Sequence, residues 1–328
     1  MKICIIGSSG HVGYAINGVK KDKDLKIMGI APGSKGENIE RILNLIDKKE
    51  KVEVFDDYIE MLDKINPDIA VVACHFGDHA RVTTSALERG INVFTEKPVA
   101  TTIEDLEMVK SAYKSSRKKL CAMFGLRYKP WFLTAWHKVK GGAVGEIRLI
   151  NAQKSYKLGN RDEFYKHRES FGGTIPWVGI HGIDWIYWFS GARFKSVYAT
   201  HSRKYNRDHG DLETTALCHF TLEREIFASL SIDYLRPESA PTHDDDRLRI
   251  VGTEGIIEVL KEKVYLINKE CKGEEIPLLP EGDIFLDFVN EIKGKGKCMI
   301  SAEDSFYVTY VSLMARLSAD EGRVIYID

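Results

Sequence analysis

Three short segments of this 328-residue chain combine residue types that can do chemistry. Gly7, Ser8, Ser9, Gly10, His11, Val12 and Gly13 follow an apolar run and lead into a helical pattern. Small residues there let the backbone approach a pyrophosphate, whose charge is met by free amides and the positive end of a helix dipole. The spacing is GxxGxxG rather than GxGxxG. Gly10 and Gly13 fit the last two glycines of the dinucleotide fingerprint, Ser8 takes the first position, and Gly7 stands one residue earlier. A glycine-rich turn without a ligand has the same composition, so the motif gains its weight from its place after the first strand. An acidic residue about 20 positions further on would accept hydrogen bonds from the ribose of NAD. Residues 29–36 offer no carboxylate, whereas Ser34 and Lys35 could donate to and charge-balance a 2′-phosphate, which favours NADP over NAD.

The second segment is Glu96, Lys97 and Pro98, directly after another apolar run. Open α/β sheets bind ligands outside the carboxyl ends of their strands, and that is where this tripeptide falls. A lone lysine is ordinarily a solvated charge. The third segment, residues 172–184, contains a glycine pair, Trp177, His181 and Asp184. His181 and Asp184 keep the i, i+3 spacing that puts both on one helix face, and an imidazole suits proton exchange near neutral pH. Just before it, Tyr156, Arg161, Tyr165, His167 and Arg168 mix aromatic and cationic groups that suit hydroxyl or carboxylate recognition, although charged loops are usually just solvated.

The elements that must position these segments divide the chain in two. Apolar runs at 3–6, 25–30, 52–55, 69–73, 92–94 and 120–124 alternate with helical patterns such as 78–89 and 103–115, the sign of parallel strands with crossover helices. The expected fold is a doubly wound Rossmann domain over 1–124. After a helix at 131–140, strand-like segments follow with few helices between them, at 146–156, 196–201, 214–221, 226–234, 247–252 and 256–260. They predict a mostly antiparallel open-sheet domain over 125–328, for substrate binding and oligomerisation, closed by helices at 283–293 and 302–319.

Lys plus Arg total 47 against 48 for Asp plus Glu, which argues against nucleic acid or a membrane surface as partner and for a small-molecule substrate. No segment approaches the roughly 20 apolar residues that span a bilayer, and the first strand begins too early for a signal peptide. Six scattered cysteines form no metal or redox motif, so reduced thiols in the cytoplasm and no metal are expected.

The chain resembles the Gfo/Idh/MocA family of sugar and polyol dehydrogenases. The resemblance rests on the glycine turn, on Glu96-Lys97-Pro98 with the preceding GxxV run at 90–93, and on residues 172–184, which fit GGxxxDxGxHxxD at every fixed position but one. The stretch DRLRIVGTEGIIEV is similar to the family's late strands. The resemblance implies that Lys97 hydrogen-bonds the reacting hydroxyl and stabilises alkoxide charge, that Pro98 is cis, and that Glu96 orients the lysine or the nicotinamide ribose. It places His79 near the cofactor, with Cys74 and His75 replacing the usual threonine and proline, and it makes Arg127, Tyr128 and Lys129 substrate-side residues. His181 becomes the general acid or base, with Asp184 orienting. The departure is Trp177, which stands where many members have an aspartate and offers an apolar wall or a stacking face for a sugar ring.

The implied reaction is NAD(P)-dependent hydride transfer at a hydroxyl-bearing carbon of a sugar, polyol or related cyclic compound. The alternatives are a cofactor-binding sensor without turnover, which Trp177 favours, and a lyase or glycosidase with an internal redox cycle. Antiparallel sheets often cover one face only, and the resemblance implies a homodimer or homotetramer built on the other.

Overall fold

The computed structural model describes residues 1–47 and 51–328. They form two compact units: Met1–Gly125 with Glu169–Gly172 and Asp283–Thr309, and Leu126–Arg168 with Gly173–Gly282 and Tyr310–Asp328.

In the first unit, strands β1 (Lys2–Ile6), β2 (Lys26–Ala31), β3 (Glu53–Val54), β4 (Ile69–Val72), β5 (Asn92–Thr95) and β6 (Leu120–Ala122) form one parallel sheet in the order β3-β2-β1-β4-β5-β6. The strand order reverses between β1 and β4, the place where such sheets open a ligand crevice. Residues 3–6 and 69–72 are wholly buried, as expected of strands covered on both faces by the helices α1 (Gly13–Lys21), α3 (Tyr58–Ile65), α4 (His79–Glu88) and α5 (Ile103–Ser116), with the short α2 (Glu40–Leu43) after β2. Local chemistry fixes where these helices begin. The Asp57 carboxylate accepts from the amides of Ile59 and Glu60 at the start of α3, and the Thr102 hydroxyl accepts from Asp105 at the start of α5.

In the second unit, helices α6 (Pro130–Lys140), α7 (Arg168–Phe171, of which only Arg168 belongs here) and α8 (Ile180–Ser190) accompany a nine-stranded sheet. Its strands are β7 (Ile147–Ser155), β8 (Phe194–Ser202), β9 (Thr215–Leu222), β10 (Phe227–Asp233), β11 (Arg247–Gly252), β12 (Gly255–Leu260), β13 (Lys263–Asn268), β14 (Lys272–Glu275) and β15 (Ile325–Tyr326). The order is β14-β13-β12-β11-β7-β10-β9-β8-β15, antiparallel except where β10 meets β7. Along β9, Ala216, Cys218, Phe220 and Leu222 are buried and Leu217 and His219 are exposed, the alternation of a sheet with one covered face.

Two expectations about the elements are corrected. The strand pattern read from the sequence stops at residue 260, yet β13 and β14 extend the sheet. The hairpin that joins β12 to β13 turns on Lys261 and Glu262, both at positive φ, so the chain lacks the glycine or asparagine that usually marks such a turn. The helix at 283–293, read as closing the second domain, is α9 (Ile284–Ile292) and belongs to the first unit. There Phe285 and Phe288 pack on Phe94 of β5 at ring distances of 5.1 and 5.7 Å. An amphipathic terminal helix does not reveal in sequence which sheet it covers. The last helix, α10 (Ala302–Glu321), divides between the units after Thr309. In the first unit Ser305 accepts from the Ala122 amide and Thr309 from that of Val99.

Candidate functional site

The nucleotide side is built on the turn after β1. Gly7 has φ +88, and a Cβ there would lie 2.4 Å from the Cys74 backbone, so only glycine lets β1 turn this close to the end of β4. Gly10, at φ +59, leaves room for the Glu96 carboxylate, which would stand 2.7 Å from an added Cβ. The turn is pinned by the Gly7 amide on the Ala31 carbonyl and the Ser9 amide on that of Ala73. Among the described residues the amides of Gly10, Val12 and Gly13 meet no acceptor, and nothing lies within 4 Å of a Cβ built on Gly13. Free donors, open space and the start of α1 fit the pyrophosphate of a dinucleotide.

Glu96, Lys97 and Pro98 follow β5, and the Lys97–Pro98 bond is cis. Glu96 is wholly buried. It accepts from the His11 amide at 3.0 Å and lies 2.9 Å from the His11 ring and 3.4 Å from Lys97 Nζ. Burial alone would raise its pKa, but the charges of His11 and Lys97 and the hydrogen bonds from His11 outweigh it and bring it down to about 2. Glu96 is therefore a hinge pin: it locks the glycine turn and the lysine to each other. Lys97 is 1% exposed.

The loop after β2 differs from its sequence reading. Glu37, one residue beyond the stretch that offers no carboxylate, folds back over Gly36, and its two oxygens accept from the amides of Ser8, Gly33 and Ser34 at 3.0, 2.9 and 3.2 Å. Ser34 is buried, with its hydroxyl accepting from the His75 amide, and Lys35 is exposed. The pair expected to hold a 2′-phosphate is thus divided, and a carboxylate occupies the turn. Arg41, also missed, donates to the carbonyls of Ser8 and Gly10 and braces the same turn.

Cys74 and His79 are closed off. The Cys74 side chain packs beneath Gly33, and burial raises its thiol pKa well above the ordinary value. His79 is wholly buried, with Nδ1 2.8 Å from the Pro98 carbonyl and Nε2 3.1 Å from that of Cys74. Burial holds its pKa below the usual value, and a neutral ring there can donate to only one of these two carbonyls. Of the three residues expected at the cofactor, only His75 is partly exposed.

The segment expected to exchange a proton lies in the second unit. Thr174 is fastened by its amide to Glu213 Oε2 and by its hydroxyl to the Glu213 carbonyl. A π-helical turn (Ile175–Gly179) carrying Trp177 then leads into α8, which carries His181 and Asp184. A Cβ on Gly179 would meet Ile232 at 2.5 Å, and one on Gly182 would meet Leu230 at 2.4 Å. These glycines let the helix lie close on β10 and fix where His181, itself buried, stands on it.

Several expected substrate contacts are committed elsewhere. Arg127 and Asp184 are both buried and face each other, with Arg127 Nε 3.0 and 3.1 Å from the two carboxylate oxygens and Nη2 2.5 Å from Oδ1. Arg168 is held by Glu213 and Asp320. His167 is 65% exposed in its side chain, beside Glu163. Tyr156 remains half-buried beside His243 and Tyr234. The sequence reading missed Lys154, which is wholly buried on the inward phase of β7 and paired with Asp246 at 2.5 Å. A lysine in step with Ile150 and Ala152 was the signal. Among the described residues no cluster of His, Cys, Asp and Glu could hold a metal ion.

Comparison with known proteins agrees with this construction. Residues 1–124 match the oxidoreductase family with an NAD-binding Rossmann fold, and residues 132–258 match the GFO/IDH/MocA C-terminal domain. These matches, with the fold and the turn, define an NAD(P)-binding oxidoreductase. The chain belongs to the GFO/IDH/MocA family. It is 56% identical to a Thermotoga maritima protein of solved structure, provisionally described as an oxidoreductase, with a TM-score of 0.97 and full coverage of both chains. It is 25% identical to the scyllo-inositol 2-dehydrogenase (NAD+) of Bacillus subtilis over 85% of this chain and 80% of that one. It is 24% identical to the D-xylose 1-dehydrogenase (NADP+) of Hypocrea jecorina over 77% and 70%. A further Bacillus subtilis relative is matched over 35% of its own length.

Proposed function

We propose that this protein is an NAD-dependent dehydrogenase acting on a hydroxyl-bearing carbon of a sugar, polyol or related cyclic compound. The observation that carries the reading is the buried ammonium of Lys97, held by a carboxylate that also holds the glycine turn. An ammonium so fixed is a preorganised donor for an oxygen that gains negative charge as its carbon is oxidised. A nicotinamide bound there would supply the hydride acceptor or donor. In this reading Lys97 holds the substrate oxygen, and the family resemblance gives the hydroxyl proton to His181, on the helix that Arg127 and Asp184 brace within the second unit. The inositol and xylose dehydrogenases among the relatives support the substrate class.

Glu37 supports NAD over NADP, because its carboxylate at the Ser8, Gly33 and Ser34 amides repels a 2′-phosphate and can accept from ribose hydroxyls. The expected result is NADH binding at least tenfold tighter than NADPH in a fluorescence titration. Tighter binding of NADPH would reverse the assignment. Absorbance at the NADH band across a sugar and polyol panel tests the activity. Net reduction of NAD+ supports it, whereas product without net change indicates an internal redox cycle, and silence across the panel indicates a sensor.

The outer face of the second sheet carries Leu149 beside Phe227 in register, with Tyr198 and Leu217 further along, all exposed. That row supports a homodimer or homotetramer formed through this face. Light scattering at micromolar concentration checks it, and a monomeric mass would exclude it. Cys4, Cys74, Cys218 and Cys271 are reduced thiols, which supports a reducing, cytoplasmic setting.

A further inference from the structure

Past the end of β7 the chain continues as a strand-like arm, with the Tyr156 amide on the Asp233 carbonyl and the Lys157 amide on that of His243. The arm delivers Arg161 to a group of aromatic rings. Its guanidinium carbon lies 5.6 Å from the centre of the Tyr165 ring and 5.1 Å from that of Tyr234. Tyr165 in turn meets the edge of Trp177 at 6.1 Å, one helical turn before His181.

The other cations of this neighbourhood are spoken for. Lys154 has Asp246, Arg168 has Glu213 and Asp320, and Arg236 has Asp245. Lys157 turns its ammonium onto the carbonyls of Glu238 and Ala240. Arg161 forms no ion pair among the described residues. Its one hydrogen bond runs from Nη2 to the Lys157 carbonyl at 3.3 Å, and its Nε is buried without an acceptor. A guanidinium stays charged at any physiological pH, and its planar fork matches a carboxylate with two parallel hydrogen bonds. Partial burial of such a fork with an unused donor is costly unless an anion arrives to meet it. Burial pushes the Tyr234 phenol up to about 12, so that neighbour adds no negative charge of its own.

We propose that Arg161 is a carboxylate-binding residue and that the substrate is a sugar acid or similarly carboxylated polyol. This rests on the dehydrogenase reading and narrows it. A single free cation matches a monoanion better than a phosphate dianion. In the reaction the hydroxyl proton leaves to a base and the carbon-bound hydrogen leaves with two electrons as hydride to the oxidised nicotinamide. The carboxylate is unchanged and serves to place the carbinol.

The test compares D-glucuronate, D-galacturonate and D-gluconate with D-glucose, D-xylose and myo-inositol, with D-glucose 6-phosphate as the dianion. The protein is used at full length with NAD+ and, separately, NADP+. The expected result is kcat/KM at least tenfold higher for a sugar acid than for its neutral counterpart and for the phosphate. Arg161→Gln should lower the sugar-acid value at least tenfold more than the neutral one, chiefly through KM, and Arg161→Lys should fall between. A neutral sugar or the phosphate preferred by the parent, or equal losses on both classes in a folded variant, overturns the proposal. If no compound is turned over, the dehydrogenase reading fails separately, and calorimetric binding of the three acids to the NADH-loaded protein decides about Arg161. Binding weakened by Arg161→Gln upholds the subsite, and no binding overturns it.

Discussion

Glu96 in the first unit and Asp184 in the second are both carboxylates with almost no exposure, and each lies beside a residue assigned to the chemistry. They are satisfied in different ways. Glu96 takes one hydrogen bond from the main chain of the glycine turn and shares its charge with His11 and Lys97. Asp184 is met by a guanidinium 57 positions away in sequence, much as Lys154 is met by Asp246 at a separation of 92. The nucleotide side is thus assembled from the backbone of contiguous turns, with side chains closing it. The substrate side is assembled from pairs of side chains that only the finished fold brings together. Substitutions should therefore leave a buried charge without its partner in the second unit, and should loosen the turn and upset its charge balance in the first.

The largest effect expected is from Asp184→Ala, which strands the Arg127 guanidinium in the interior and should cost roughly 3–5 kcal/mol in urea unfolding. Replacing both partners by apolar residues, Arg127→Met with Asp184→Leu, should recover most of that loss. A single variant costing under about 1 kcal/mol would break the comparison.

Glu96→Gln should cost about 3 kcal/mol at neutral pH, from a carboxyl brought from 4.5 to about 2. Because the folded-state pKa is the lower one, this contribution is fully present above the unfolded value of 4.5. It is lost as the pH falls toward about 2. The gap between parent and variant in unfolding midpoint should therefore close across that window, and a gap independent of pH would show that the carboxylate's charge is not what holds the turn.

Glu37→Ala should reduce the preference for NADH over NADPH by about tenfold, or roughly 1.4 kcal/mol, in fluorescence titrations. An unchanged ratio would mean that the β2 loop does not select the cofactor. The smallest effect is expected from Lys35→Ala, which alters an exposed side chain and should change the affinity for either cofactor less than about threefold.

The same contrast explains what could be read from the sequence. The parallel sheet, the glycine turn and the segment around Lys97 are contiguous, and their residue types state their backbone roles, so each was legible. The β2 loop was legible only in part. Glu37 reaches the turn because the chain doubles back at Gly36, which shortens a separation of 29 residues to one hydrogen bond. Arg127 and Arg168 looked available because a cation in sequence shows no partner, while their carboxylates come from α8, the segment just before β9, and α10. The placement of α9 was illegible for a similar reason, since it depends on Phe94 matching Phe285 and Phe288 across more than half the chain.

If Lys97 serves the reacting oxygen while the turn beside it holds the cofactor, Lys97→Ala separates the two roles. Turnover should fall by about a hundredfold or more, the loss of roughly 3 kcal/mol expected when one transition-state donor is removed, with the dissociation constant of NADH changed less than about threefold. Turnover close to that of the parent, in a variant shown to be folded and to bind NADH, would contradict it.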